Sequence, residues 1–301
     1  MRPFFLRWHQ FVRERFSLLS HLPMILLFYF GNLLTFQKGS CIEGESFLWR
    51  IIVAGPLLIL LIFFHMRIFD EIKDYQFDGE FNPERPLPRG LISVTEANWA
   101  SAVIIALETT IAILSGLEVA VSYLMVLGFT LLMRFEFFAG SWLRPRRELY
   151  AITHTFSAFF LGLLIFSLAT GMPFTSITPV FAWFCLGNWF MFNLFEFARK
   201  TYGTDEEPSS GDSYSARLGG WGSFLLILFN IIPAWILTVR TLNLQTGSLW
   251  WVIFLLAVMI PAVSGGRYAL TPRKKQGEAF RNWAGAYLLI HYGMIIVINI
   301  S

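Results

Sequence analysis

Long apolar stretches recur along this chain, separated by shorter segments that are charged or rich in Gly and Pro. Each stretch is about 20 residues long, the length that an α-helix needs to cross the hydrocarbon core of a bilayer. They predict nine membrane-spanning helices, at residues 16–36, 47–69, 97–115, 118–135, 150–170, 178–199, 217–239, 248–264 and 282–300. We therefore expect an all-α, polytopic membrane protein in which residues 1–301 form a single transmembrane domain.

The composition agrees with this pattern. Apolar residues make up 55% of the chain and charged residues 14%, which excludes a disordered chain and argues against an ordinary soluble domain. Aromatic residues reach 17%, more than the belts at the two membrane surfaces need, so many should line the helix bundle. The net charge of +3 gives no indication of nucleic-acid binding. Cys41 and Cys185 form neither a disulfide framework nor a metal motif.

The distribution of basic residues predicts the orientation of the spans. If the N-terminus is cytoplasmic, 20 of the 23 Lys and Arg residues fall on the cytoplasmic side, and only Lys38, Arg50 and Arg240 lie outside. This bias is the one that positive-inside proteins show. The first stretch follows several arginines, as in a signal peptide, but it lacks a small-residue cleavage site, so we expect a retained span. The long charged loops at 70–96 and 199–217 then face the cytoplasm, where we expect the active site.

The end of the second predicted span carries a first acidic motif. Asp70, Asp74 and Asp78 recur at every fourth residue, so a continuing helix would align three carboxylates, with Glu71 beside them. Like charges at this spacing destabilise one another, and a cation would relieve the repulsion. Oxygen ligands of this kind suit Mg²⁺, which is often shared with substrate phosphates. The alternative is a solvated acidic helix end that Arg67 and Lys73 balance.

A second acidic motif follows the sixth predicted span. Glu196 lies inside the apolar run, where a buried acid costs about 2.5–3.5 kcal/mol and so suggests a function. Asn193 and Lys200 share its helical face, and the alternative is a simple Glu196–Lys200 ion pair. Further acids follow at Asp205, Glu206, Glu207 and Asp212. Two acidic sets that face each other would suit two or three Mg²⁺ ions around a diphosphate leaving group.

The first acidic motif also resembles a known family. The motif Asp70-Glu71-x-x-Asp74-x-x-x-Asp78 is followed by Glu84-Arg85-Pro86-Leu87-Pro88-Arg89-Gly90. Together they resemble the first aspartate-rich motif of the UbiA superfamily of intramembrane prenyltransferases, which also have nine helices and a second acidic motif after the sixth. The chain departs from the family at Asp70-Glu71, where the family has Asn-Asp, and in its second motif, which lacks a clear Asp-x-x-x-Asp.

The resemblance implies a site at the cytoplasmic mouth of a membrane cavity. It implies an isoprenyl diphosphate with Mg²⁺ at the mouth and the prenyl tail inside the bundle. The metal ligands that it suggests are Asp70, Asp74, Asp78, Glu196 and Asp205. Basic residues should contact the phosphate oxygens, and the candidates are Arg67, Lys73, Arg134, Arg144 and Lys200, although each is also explained as a positive-inside anchor. The loop at 79–94 is expected to close over bound substrate as a mobile lid.

Polar groups inside the membrane add candidates for the chemistry. Glu108 lies near the middle of the third predicted span, and with Asn193 it is a candidate for orienting an acceptor near the reacting carbon. Each is equally explained as a hydrogen bond between helices. With Asp70, Glu71, Asp74 and Asp78 they complete the catalytic candidates. His65, His154 and His291 are expected to be structural.

These observations leave three functions open. The favoured one is Mg²⁺-dependent ionisation of an isoprenyl diphosphate and transfer of the prenyl group to a lipophilic acceptor. A terpene cyclase of the same superfamily would ionise the same substrate and need no acceptor. A transporter would also place acids at helix ends, but it should show inverted repeats, and the chain shows none. The expected partners are the substrates and membrane lipid, with no nucleic acid and no obligate protein partner.

Overall fold

The computed structural model describes residues 3–37, 48–208 and 211–301. Within these ranges, nine helices are long and apolar enough to cross a membrane, as the sequence predicts, and there are no strands. These nine spans are Leu18–Gln37, Trp49–Lys73, Val94–Ser115, Leu117–Arg134, Arg147–Thr170, Pro179–Arg199, Tyr214–Thr241, Leu249–Leu270 and Lys274–Ile300. Lys38 and Cys41 lie outside the described residues. The cytoplasmic position of the N-terminus stays a prediction.

The spans pack as neighbours in a single bundle. The sixth span packs along the seventh, the eighth along the ninth, and the ninth returns to contact the first. Small residues allow close approach: a Cβ added at Gly162 in the fifth span would lie 2.8 Å from Sγ of Cys185 in the sixth. Close packing of this kind stabilises helix contacts in a membrane, where lipid removes the hydrophobic drive for association.

Buried amides and hydroxyls connect spans that are distant in sequence. Asn188 donates to Oδ1 of Asn32 at 2.7 Å, and the hydroxyl of Tyr292 donates to Oδ1 of Asn188 at 2.9 Å. The three side chains join the first, sixth and ninth spans, and all are buried. Since an unpaired polar group is costly in hydrocarbon, these bonds fix which faces of the three helices meet.

The predicted cytoplasmic loops are shorter than the sequence indicated. The second span continues to Lys73, and a short helix at Tyr75–Phe81 follows before the third span begins at Val94. The segment predicted as a loop at 199–217 likewise includes the start of the seventh span. Hydropathy predicts where a chain leaves the hydrocarbon, but helical hydrogen bonds continue past that depth. The predicted end of the second span and the predicted start of the seventh are therefore both corrected.

An N-terminal helix, Phe4–Arg15, precedes the first span and was not predicted. It packs its buried Phe11 against the segment between the short helix and the third span, where Leu87 and Ile92 are also buried. Arg89 of this segment pairs with Glu14 of the N-terminal helix at 2.8 Å. The predicted lid is therefore packed against a helix, and its closure over substrate stays a prediction.

Candidate active site

The first acidic motif keeps its helical spacing across a break between two helices at Asp74. The amide of Asp74 donates to the carbonyl of Asp70 at 2.9 Å, and that of Asp78 donates to the carbonyl of Asp74 at 2.8 Å. The second span ends between these two bonds, and the short helix begins after Asp74. The three aspartates thus keep the predicted four-residue spacing, although the continuous helix expected from the sequence is interrupted at Asp74.

Asp70 lies at a meeting point of cationic side chains. Its Oδ1 accepts from Nζ of Lys73 at 2.8 Å, and its side chain is 45% exposed. Arg67, one turn earlier, and Arg199, at the end of the sixth span, also interact electrostatically with this carboxylate. The ends of the second and sixth spans therefore meet at Asp70, as expected from the two acidic motifs. The side chains that connect the two helix ends include the cation Arg199 as well as the acid Asp70.

Asp74 and Asp78 differ in environment. Burial raises the pKa of Asp74 to about 6; the Lys73 ammonium opposes that rise, while the carboxylates of Asp70 and Asp78 add to it. Asp78 is buried and accepts from Nη1 of Arg85 at 2.6 and 2.7 Å. Asp78 thus binds the segment that follows the short helix through Arg85. Asp74 instead lies near two other carboxylates, and a bound cation would relieve their mutual repulsion.

Glu71 is directed to the N-terminal helix. Its side chain is 2% exposed, and its Oε1 accepts from Nε of Arg15 at 2.6 Å and lies 3.3 Å from Nη2 of Arg67. These contacts place the buried Glu71 carboxylate between two cations, Arg15 of the N-terminal helix and Arg67 of the second span. The catalytic role predicted for Glu71 therefore stays a prediction, and the geometry favours a role in holding the N-terminal helix.

We expect Glu71→Gln to lower the stability of the protein by about 2 kcal/mol, because it weakens charged hydrogen bonds in a buried site. Thermal unfolding of the purified protein in detergent measures the change. Glu14→Gln is the matched control, since it breaks the more exposed Glu14–Arg89 pair and should cost less than about 1 kcal/mol. An unchanged unfolding temperature in Glu71→Gln, with loss of activity, would instead favour the catalytic role.

A strained turn after the fourth span supplies a further acid. Glu136, Phe137 and Phe138 have φ values of 50°, 54° and 56°, in the left-handed region that side chains rarely adopt. The turn directs Glu136 to Nε of Arg144 at 2.8 Å and to the hydroxyl of Tyr150 at 3.2 Å. Strain of this kind persists where surrounding contacts enforce it, and it concentrates at functional sites.

Tyr150 connects this turn to the first acidic motif. Nζ of Lys73 lies 5.3 Å from the centre of the Tyr150 ring, and Asp74 interacts electrostatically with Arg144. Glu136, Tyr150 and Arg199 were missed by the sequence analysis. Only Glu136 had a signal that could have been used, as an acid within two residues of Arg134 at the end of a predicted span.

The second acidic motif is divided in the structure. Glu196 pairs with Arg199 and lies 3.7 Å from Lys200, whose Nζ donates to Asp212 at 3.1 Å. Asp205 is exposed and accepts from the backbone amide of Lys274 at the start of the ninth span. Arg199 therefore connects Glu196 to Asp70, because it pairs with the first and interacts electrostatically with the second. Asp205 instead contacts the ninth span.

Arg134, predicted to contact phosphate, is engaged with side chains of two neighbouring spans. Its guanidinium donates to Oδ1 of Asn98 and stacks on the ring of Phe69, with 4.6 Å between the guanidinium carbon and the ring centre. These contacts join the second, third and fourth spans. The geometry favours a role for Arg134 in joining these helices, and its contact with phosphate stays a prediction.

The two polar candidates inside the membrane are both engaged between helices. Glu108 is fully buried; it accepts from the hydroxyl of Tyr123 at 2.9 Å and lies 2.8 Å from Nδ1 of His65. Asn193 is buried and accepts from the hydroxyl of Thr155 in the fifth span. The geometry favours the interhelical reading for both, and their roles in orienting an acceptor stay predictions.

The donor set fits Mg²⁺ shared with a substrate better than an ion held by protein alone. Among the described residues, no three His, Cys, Asp or Glu side chains form a group that would hold a metal ion. Asp70 and Asp74 offer carboxylate oxygens, and their mutual repulsion favours a cation between them and substrate. Mg²⁺ commonly binds through one or two carboxylates with waters and phosphates completing its shell.

Comparison with known proteins gives a family match and a shared fold. Residues 32–286 match the UbiA prenyltransferase family. A solved structure described as digeranylgeranylglyceryl phosphate synthase aligns with a TM-score of 0.63 at 15% identity, over 98% of this chain and 99% of the other. A UbiA homologue from Archaeoglobus fulgidus, bound to DMAPP and Mg²⁺, aligns with a TM-score of 0.51 at 14% identity, over 95% and 99%. No curated protein matches the sequence significantly.

Proposed function

The chain belongs to the UbiA prenyltransferase family, and on that premise we propose that it ionises an isoprenyl diphosphate with the help of Mg²⁺ and transfers the prenyl group to a lipophilic acceptor. The observation that carries the proposal is the meeting of Asp70 and Asp74 with Arg67, Lys73 and Arg199 where the second and sixth spans end. Carboxylates for a metal and cations for phosphate oxygens are thus combined at one site, and family membership favours an enzyme over a transporter.

Binding of the diphosphate requires an exchange of partners. Asp70 and Asp74 would hold Mg²⁺, which when bound neutralises the charge that develops on the leaving diphosphate. Lys73 then turns its ammonium from Asp70 to a phosphate oxygen, and Arg199 does the same from Glu196. The guanidinium of Arg67 contacts one carboxylate oxygen of Glu71, at 3.3 Å. Its buried Nε has no hydrogen-bond partner among the described residues. It therefore has donors to spare for phosphate.

Aromatic rings lie below the site on the same helical faces. Phe63 precedes Asp70 by seven residues and Phe192 precedes Arg199 by seven, which is two turns in each helix. Their ring centres are 6.0 Å apart, and Phe28 of the first span lies 5.2 Å from Phe192. An isoprenyl tail would extend along these rings. They exclude water from C1 as its bond to oxygen breaks, and their faces stabilise the allylic cation.

A terpene cyclase is the second candidate, and one observation favours it. The polar groups that suggested an acceptor site, Glu108 and Asn193, are already hydrogen-bonded between helices. Cyclisation needs no such group, because a double bond of the substrate captures the cation. Transfer is preferred here on family membership, and the two reactions share the ionisation step and its residues.

The products separate the two candidates. Purified protein would be given isoprenyl diphosphates of several lengths with Mg²⁺, with and without a membrane lipid extract, and the products identified by mass spectrometry. We expect prenylated lipid only when the extract is present. Steady formation of a cyclic hydrocarbon or alcohol from the diphosphate alone would overturn transfer in favour of cyclisation.

A further inference from the structure

A groove that no candidate active-site residue lines lies where the eighth and ninth spans are joined. It has a volume of about 570 Å³. The eighth span contributes one side of it and the ninth span the other. Its lining residues include Met259, Val263 and Arg267 on the eighth span and Lys275, Ala279 and Trp283 on the ninth. Since neither the acidic motifs nor their partners line it, the proposed chemistry gives this groove no role.

The residues of the groove form two parallel rows, one on each helix, and each row has a cation at one end and apolar side chains beyond it. On the eighth span, Met259, Val263 and Arg267 follow one another at four-residue steps, and each such row stays on one face of a helix. The ninth span carries the reverse order, from Lys275 through Ala279 to Trp283. Because the two helices are consecutive and antiparallel, both cations lie at the connecting turn and both apolar rows lead away from it.

The two cations have no protein partner in the part of the chain that the structure describes. Arg267 and Lys275 are exposed, and neither forms an ion pair or a side-chain hydrogen bond with a described residue. The nearest acid along the ninth span, Glu278, lies 3.9 Å from Nζ of Lys274. Two unpaired cations at one end of a groove suit an anion of the phosphate class.

The apolar rows match the tail of a lipid. Met259, Val263 and Trp283 are 48%, 49% and 46% exposed, on helices that the protein presents to the bilayer. From Arg267 to Met259 the eighth span rises about 12 Å, close to the thickness of one hydrocarbon leaflet, about 15 Å.

We propose that this groove binds an anionic glycerophospholipid, with its phosphate between Arg267 and Lys275 and an acyl chain along the apolar rows. A zwitterionic lipid fits less well, because its own ammonium neutralises the phosphate that the two cations would otherwise bind. Free phosphate fits less well because it leaves the apolar rows uncovered. Basic pockets between spans bind anionic headgroups on this physical ground.

The test compares lipids of equal chain length by native mass spectrometry of the purified protein in detergent. The wild type should retain phosphatidylglycerol in preference to phosphatidylcholine. Arg267→Ala/Lys275→Ala should lose about 30-fold in affinity for phosphatidylglycerol, from about 1 kcal/mol for each exposed ion pair with the phosphate. Arg273→Ala/Lys274→Ala is the matched control, because it removes two adjacent charges that do not line the groove, and it should bind as the wild type does.

Three outcomes would overturn the proposal. They are equal retention of the two lipids by the wild type, unchanged affinity in the groove variant, and full displacement of phosphatidylglycerol by millimolar inorganic phosphate, which would show a phosphate site with no lipid selectivity. If the double variant fails to fold, Lys275→Gln at an exposed position should still weaken phosphatidylglycerol binding about fivefold, and unchanged binding there would contradict the proposal.

Discussion

Asp74→Asn is expected to reduce the release of diphosphate from an isoprenyl diphosphate by at least about 100-fold, the loss typical of removing one group that stabilises developing charge. Asp74 is crowded by Asp70 and Asp78, and asparagine keeps its shape while removing the charge that would hold Mg²⁺. Asp70→Asn should have a similar effect and should also release Lys73. The measurement is Mg²⁺-dependent diphosphate release by purified protein.

The matched control for these variants is Asp205→Asn. Asp205 belongs to the predicted metal set but contacts the start of the ninth span, so this change should leave diphosphate release within about threefold of the wild type. All three variants should unfold near the wild-type temperature. Full activity in Asp74→Asn would show that the first acidic motif is not the metal site, and a loss in Asp205→Asn as large as in Asp74→Asn would return that residue to it.

Glu108→Ala is expected to lower the stability of the protein by about 3–5 kcal/mol, because it leaves the buried polar groups of His65 and Tyr123 without their hydrogen-bond partner. Glu108 and His65 are both fully buried, and the pair connects the second span to the third, with Tyr123 adding the fourth. Glu108→Gln keeps the size of the side chain and a hydrogen-bonding oxygen, so its loss should be smaller. Thermal unfolding in detergent measures both variants.

The same variants test the acceptor role of Glu108. If Glu108 only joins helices, Glu108→Gln should keep both diphosphate release and formation of the prenylated product. If it orients an acceptor, Glu108→Gln should unfold as the wild type does and still release diphosphate, but it should form less prenylated product. The second pattern would contradict the interhelical reading.

The number and order of the spans could be predicted because the cause is local. A helix must have about 20 apolar residues to cross hydrocarbon, and that length is visible in the sequence. The helix ends were less predictable. The second span continues to Lys73 and the ninth begins at Lys274, because backbone hydrogen bonds extend past the depth at which charged side chains become tolerable. The N-terminal helix was missed because it is too short and too charged to resemble a span.

The site could be predicted only as far as helical spacing determines it. The four-residue step of Asp70, Asp74 and Asp78 survives in the structure because it depends on neighbouring turns. The partners of each charge do not follow from spacing. Glu71 pairs with Arg15, 56 residues earlier, and Asp70 interacts with Arg199 of the sixth span. Such pairings depend on how distant helices pack, so a single sequence shows the acids without showing which cations they meet.

The most direct test of the central claim is diphosphate release by the wild-type protein with an isoprenyl diphosphate, measured with Mg²⁺ and again after its removal by excess EDTA. The account predicts steady release with Mg²⁺, loss of release in EDTA, and recovery when Mg²⁺ is restored. Release at the same rate in EDTA would contradict the metal role of Asp70 and Asp74. No release from any isoprenyl diphosphate with Mg²⁺, by folded protein in lipid, would contradict the proposed function itself.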